Sequence, residues 1–344
     1  MNPSLFGFRK LASKPYPLQG ASVGGAQQTL KFDLKDYLQT AVVSRLLLRV
    51  VGTIAQAGSG AGVATGRDNP ESLITQITAH STPAVGAISK NALTARGTLQ
   101  MGIFDRGYAI HSTALADPGA GNPTPAVDFS LPLIYKMPGS INPIEYGLPL
   151  ALFTNYVLDI VCGGREQLFT GGTTTWNLAA LNVEIWADYD DGVAGNFHLM
   201  EEGEIVTPVT QTQPDLQLIL EPGYFYTHLL FIGQTALAKD DTLINSINVQ
   251  SAGRIWTPQG DKNAPIIHRW NQETHVNNAA ESLTGTYFLP ALRDGMFTRS
   301  IDCRASRLEI KFDVTLGGGP SSVLTRYRRI QAQALQVKPA QKAA

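Results

Sequence analysis

Cysteine is almost missing from this chain. Two residues in 344, Cys162 and Cys303, cannot build a disulfide framework or a structural zinc site. They read as two free core thiols in a protein made in a reducing cytoplasm. Charge is scarce too, at 16% of residues against roughly 25% in an ordinary soluble domain. A disordered chain, which is charge-rich and apolar-poor, is thereby excluded. The charged surface of a solitary monomer is also disfavoured. No apolar run reaches the ~20 residues of a membrane-spanning helix; the most apolar stretch, 148–162, is interrupted by Asn155 and Asp159. At the N-terminus Arg9 and Lys10 follow the apolar residues, the reverse of a secretory signal.

Cations are missing in a particular place. Between Arg165 and Lys239 there is no Lys or Arg, while ten acids fall there, among them Glu201, Glu202 and Glu204. Conversely, residues 1–20 carry Arg9, Lys10 and Lys14 without an acid. Residues 317–344 carry Arg326, Arg328, Arg329, Lys338 and Lys342 without an acid. With a net charge of −1, three plus five cations at the ends leave a body of −9. The zoning predicts an acidic body between basic ends, able to lie on an anionic surface or to clip onto a neighbouring subunit.

What the sequence does have is strands. Leu308, Ile310, Phe312 and Val314 alternate with polar residues, as do Leu181, Val183, Ile185 and Ala187, and Leu30, Phe32 and Leu34. Period two puts one face in a core and the other outward. Residues 44–51 and 227–232 are more continuously apolar and suit strands buried on both faces. With 33 Gly and 20 Pro punctuating the chain, many short strands between turns predict sandwiches or barrels. Asp68-Asn-Pro-Glu71 reads as one helical turn at most, followed by a strand.

Five blocks recur in the same order in both halves: 30–34 with 216–220, 44–48 with 227–231, 71–78 with 241–248, 148–154 with 289–298, and 181–185 with 308–312. The spacing predicts two domains of one fold rather than a solenoid. The boundaries read as an N-terminal arm at 1–29, a first sandwich at 30–192, an acidic linker at 193–215, a second sandwich at 216–316 and a basic tail at 317–344.

Sites of chemistry are weakly supported. The Gly-rich stretch 58–66 lacks the Lys of a phosphate loop. Asp188-Tyr-Asp-Asp-Gly192 opens like a calcium loop but has Leu199 where a bidentate Glu is needed. The six His are too scattered for a metal site. Glu201, Glu202 and Glu204 could pair as catalytic carboxylates only at a spacing the sequence does not show. The expectation is no catalytic residue, no metal and no cofactor. Trp256 and Trp270 leave room for a carbohydrate- or receptor-binding alternative.

The tandem blocks, the low charge and the basic ends resemble the double jelly-roll major capsid proteins of tailless, membrane-containing bacteriophages, the lineage of adenovirus hexon. That resemblance implies an all-β fold of two tandem eight-stranded jelly-roll sandwiches, with short helices in loops and extended basic termini. It further implies a homotrimer acting as a pseudo-hexameric capsomer, neighbouring capsomers, and minor capsid and vertex proteins. The product would be an icosahedral virion capsid, assembled in the host cytoplasm over a lipid membrane or genome that Arg9, Lys10, Lys14, Arg326, Arg328 and Arg329 would face. Loops 52–70, 111–128 and 163–175 of the larger first half would carry any outward decoration.

Overall fold

Alternating sequence becomes two pairs of facing sheets. The computed structural model describes residues 8–18, 27–83, 92–106, 113–135, 147–191, 193–260, 262–274, 283–290 and 300–337. The first half supplies β1 (Arg9–Pro15), β2 (Gln28–Asp33), β3 (Val42–Thr53), β4 (Ile74–Pro83), β5 (Ala92–Leu93), β6 (Ala126–Ile134), β7 (Phe153–Cys162) and β8 (Leu181–Asp190). One sheet runs β1-β8-β3-β6 and the other β2-β7-β4-β5, all antiparallel. Helix α1 (Ala95–Arg106) follows β5.

The second half supplies β9 (Met200–Val209), β10 (Gln213–Leu220), β11 (Tyr224–Thr235), β12 (Ile244–Ser251), β13 (Arg254–Ile255), β14 (Thr286–Pro290), β15 (Leu308–Val314) and β16 (Ser321–Gln331). Helix α2 (Ala264–Thr274) follows β13. Its sheets run β9-β16-β11-β14 and β10-β15-β12-β13. Number each half from one and the two orders are identical, 1-8-3-6 facing 2-7-4-5. This interleaving of early and late strands is the jelly-roll arrangement.

Alternation explains each core. Leu46, Leu48 and Val50 of β3, Leu158 and Ile160 of β7 and Ile77 of β4 belong to one buried cluster. Leu229 and Phe231 of β11, Ile310 and Phe312 of β15 and Ile247 of β12 belong to another. Each such fully buried side chain contributes about 1.5–3 kcal/mol. The expected helical turn followed by a strand is also there, as a short 3-10 helix at Glu71–Leu73 leading into β4.

The duplication is real, but its phase differs from the expected one. The first three blocks fall on equivalent strands, β2 with β10, β3 with β11 and β4 with β12. The fifth does not: 181–185 lies in β8, the last strand of its roll, whereas 308–312 lies in β15, the seventh. The fourth is also shifted. Leu148–Pro149 pairs with the start of β3, and the segment pairing with the start of β11 is Ile301–Cys303 rather than 289–290. Residues 296–298 lie outside the described residues.

The boundaries move accordingly. Residues 9–15 are a first strand, not a free arm. The expected acidic linker contains β9, and the expected basic tail contains β16. Even beyond β16 the chain is tied down: Leu335–Val337 pairs with Gly195–Phe197, and Phe197, Val337 and Val42 bury one another.

Candidate functional site

The acidic and basic zones of the sequence meet. β9 and β16 are antiparallel neighbours in a register that places Glu201 opposite Arg329, Glu202 opposite Arg328 and Glu204 opposite Arg326. Glu202 and Glu204 project to one face of β9, and Arg326 and Arg328 to the same face of β16. That face turns toward the first roll. Arg326 is fully buried; it donates to Glu202, to Glu204 Oε2 at 3.4 Å and to Thr98 Oγ1 on α1 at 2.9 Å. Arg328, also fully buried, donates from Nε to Glu202 Oε1 at 3.0 Å. On the other face, Arg329 donates to Glu201 at 3.0 Å and Glu221 at 3.1 Å and lies 3.8 Å over the ring of Tyr224.

Helix α1 belongs to the first roll and closes this network from the opposite side. Glu204 accepts from the backbone N–H of Thr94 at 3.2 Å, placing a carboxylate at the positive end of the helix. Gly97 allows the approach, because a Cβ there would collide with Glu204 and crowd Arg326. Beyond the charges, Met101 and Phe104 of α1 bury against Leu230, Ile232, Phe288 and Leu324 of the second roll. The rings of Phe104 and Phe288 stack at 4.8 Å. Arg96 adds a second bridge, bonding Asp68 at 2.6 Å in its own roll and the carbonyl of Leu237 at 2.7 Å in the other.

This is a correction to the sequence reading. Arg326, Arg328 and Arg329 are not on a solvated arm; they are buried and spent on carboxylates within the chain. Glu201 and Glu204 are likewise neutralised by arginine, which leaves no basis for reading them as catalytic carboxylates. The other three cations do lie on the surface, along the edge strand β1. Arg9 sits 5.0 Å over the Tyr189 ring, Lys10 bonds Glu184 at 3.0 Å, and Lys14 lies 4.8 Å over the Phe32 ring. Lys338 and Lys342 lie outside the described residues.

Burial alone would raise the Glu202 carboxyl, but the charges and hydrogen bonds of Arg326 and Arg328 outweigh it and hold the group near pH 2, down from an ordinary 4.5. For Glu204 burial wins over Arg326 and the Thr94 bonds, and its carboxyl is raised. A carboxyl lowered on folding stabilises above its unfolded value and loses that contribution as pH falls through the folded one. Glu202 therefore contributes on the order of 3 kcal/mol at neutral pH that disappears between pH 4.5 and about 2; Glu204 offsets part of it. The expected result is a urea midpoint that drops across this window. In Glu202→Gln the drop should be clearly smaller, and an unchanged pH profile would exclude Glu202 as its source.

A second charged cluster organises one end of the first roll. Asp117, whose side chain is fully buried, accepts from Arg165 Nε at 3.0 Å, from Trp176 Nε1 at 3.1 Å and from the Gly62 N–H at 2.6 Å. Burial would raise its carboxyl, but the Arg165 and Gly62 bonds, the Arg165 charge and Trp176 hold it below its ordinary value. Short ladders, Val63–Ala64 with Phe169–Thr170 and Ala55–Ala57 with Thr175–Asn177, tie the same segments. The described parts of the three loops expected to carry decoration are thus one connected platform. Among the described residues no group of three or more His, Cys, Asp and Glu is placed to hold a metal, and no helix is long and apolar enough to cross a membrane.

No family model and no curated protein matches the sequence. Solved structures do match, over nearly the whole chain. The major capsid protein of Sulfolobus turreted icosahedral virus superposes with a TM-score of 0.61 at 12% identity, covering 92% of this chain and 95% of that one. Major capsid protein P2 of bacteriophage PM2 gives 0.59 at 11% identity, covering 97% and 99%. The PBCV-1 capsid gives 0.55 at 11% identity, covering 98% of each chain. The chain has the double jelly-roll fold. In this double jelly roll the expected all-β class and tandem sandwiches hold, while the basic termini of the expectation are in large part sheet. The site missed by sequence reasoning is the seam between the rolls. Its one-dimensional trace was the matched spacing of Glu202 and Glu204 with Arg326 and Arg328.

Proposed function

We propose that this double jelly roll is a structural major capsid protein without catalytic activity. Three copies would form a pseudo-hexameric capsomer of six rolls, and capsomers would tile an icosahedral shell of a virion assembled in the host cytoplasm. The observation that carries this reading is the seam. Two rolls of one strand order are fixed side by side by buried ion pairs and an apolar helix contact, which makes the pair a rigid building block rather than two tethered domains. Three viral capsid proteins share the fold from end to end, and a charge fraction of 16% suits a subunit that hides surface in lattice contacts.

Neighbouring capsomers and minor or vertex proteins are the partners of this reading. An anionic membrane or genome would meet the β1 edge through Arg9, Lys10 and Lys14. Charge reversal, not deletion of residues 1–20, tests that contact, because deletion removes β1 itself. The carbohydrate-binding alternative has less support: the Arg254 guanidinium lies 4.1 Å over the ring of Trp256, where a sugar would stack.

The purified chain should scatter light as a particle near three times 37.0 kDa. A strict monomer at micromolar concentration would contradict the proposal.

A further inference from the structure

Beside the seam the two rolls enclose a cavity of about 230 Å³, far more than a single water molecule needs. The first roll supplies Arg67, Ser72, Arg96 and Gln167 to its wall. The second supplies Gln234 of β11 and Leu237, the residue whose carbonyl Arg96 holds. No carboxylate is among the described residues that line it. A space walled by two arginines, a hydroxyl and side-chain amides is chemically suited to an anion.

The two arginines differ. Arg96 is nine-tenths buried, and every nitrogen of its guanidinium has an acceptor. Nε bonds Asp68 at 2.6 Å, Nη1 the Leu237 carbonyl at 2.7 Å and Nη2 the Gly66 carbonyl at 3.0 Å. Arg67 is half-buried, and its Nη1 donates to the neutral side-chain oxygen of Gln167. Among the described residues it has no carboxylate partner, and Nε and Nη2 have no protein acceptor. Burial, and then the like charge of Arg96, disfavour the Arg67 cation and hold its pKa below the ordinary value. Elsewhere the fold does the opposite. Arg165, Arg326, Arg328 and Arg329 are buried more deeply, and each has a carboxylate. Nor does the neighbouring sequence offer an acid to Arg67. Residues 19–26, which lead to Gln27, and residues 84–91, which lead to β5 and α1, contain no Asp or Glu.

The first turn of α1, from Thr94 to Arg96, also lines the cavity. Glu204 takes the Thr94 N–H, but it is paired with Arg326 and is not on the cavity wall. The N–H groups of Ala95 and Arg96 have no helical carbonyl to bond. The positive end of the helix adds to the field of Arg67.

We propose that this cavity binds one phosphate group, free or as a monoester, held by the Arg67 guanidinium and the first turn of α1. The planar guanidinium fork matches two phosphate oxygens. The bound anion supplies the counter-charge that the chain withholds from Arg67. Because both rolls form the wall, the ligand also braces the seam. The proposal stands apart from the capsomer reading, and neither fails with the other.

Calorimetric titration of the full-length chain with inorganic phosphate tests it, near neutral pH and in chloride of matched ionic strength. One phosphate per chain is expected. The thermal midpoint should rise with phosphate and not with chloride at equal ionic strength. Arg67→Gln should weaken binding about tenfold or more, the loss expected for a charged hydrogen bond, and should remove the midpoint shift. Circular dichroism establishes that it folds. Should it misfold, Arg67→Lys takes its place, keeping the charge but not the fork, with a smaller loss. Arg304→Gln, which breaks an exposed pair elsewhere, should bind as the wild type does. Adenosine monophosphate in the same titration separates the two sources. Competition with phosphate assigns the site to a monoester, and lack of competition assigns it to the free ion, both within the proposal. A wild-type chain with neither saturable heat nor a midpoint shift overturns it, as does an Arg67→Gln affinity equal to that of the wild type. Equal weakening by Arg67→Gln and Arg304→Gln overturns it too, because that pattern means diffuse attraction to surface cations.

Discussion

Replacing Arg326 with methionine is expected to lower the unfolding free energy by about 3–5 kcal/mol, because it leaves buried carboxylates without their counter-charge. Glu202 retains Arg328, but Glu204 loses its ion pair and Thr98 loses a donor. The hydrophobic stem of methionine fills much of the vacated volume, so the loss reports charge rather than a cavity. Guanidinium unfolding at pH 7 measures it. The double variant with Glu204→Gln should lose less than Arg326→Met alone, since Glu202 keeps Arg328 and a neutral amide at 204 needs no counter-ion. A loss below 1 kcal/mol for the single variant would mean that the seam behaves like a solvated surface pair, and the rigid two-roll block would lose its main support.

Asp117→Ala should cost a similar amount, about 3–5 kcal/mol, but its effect should stay at one end of the first roll. Arg165 is left buried at 4% exposure without its carboxylate, and Trp176 Nε1 and the Gly62 N–H lose their acceptor. Amide exchange should quicken in residues 58–66, 113–125 and 163–175 while β9–β16 stay protected. Uniform acceleration across both rolls would show that the cluster supports the whole fold rather than the loop platform.

These two clusters explain how far the sequence could be read. The inner strands were legible because apolar residues at period two, as in β15 and β8, can mean little else. The phase of the repeat was not. β9 and β16, which belong to the second roll, look like a linker and a tail because charged side chains on a strand normally point to water. Here they point at each other across a ladder that joins residues more than 120 positions apart. Only the pairing makes them compatible with burial, and pairing is a property of the fold. The clue that was present is stereochemical. Acids two apart and arginines two apart each share one face of a strand, in zones stripped of the opposite charge. Helix α1 left no such trace, since its apolar residues serve two cores at once, Leu99 and Ile103 in the first roll and Met101 and Phe104 at the seam. Tyr16 is a smaller example. Its hydroxyl donates to the carbonyls of Leu73 and Gly163 at 2.8 and 2.7 Å, a contact that binds three distant segments and that no local pattern announces.

The most direct test of the account is a negative-stain image of the purified full-length chain. A capsomer of three double jelly rolls predicts particles with a pseudo-hexagonal outline and threefold symmetry, six similar lobes around a centre. A field of separate two-lobed particles at concentrations where the chain is folded would contradict it.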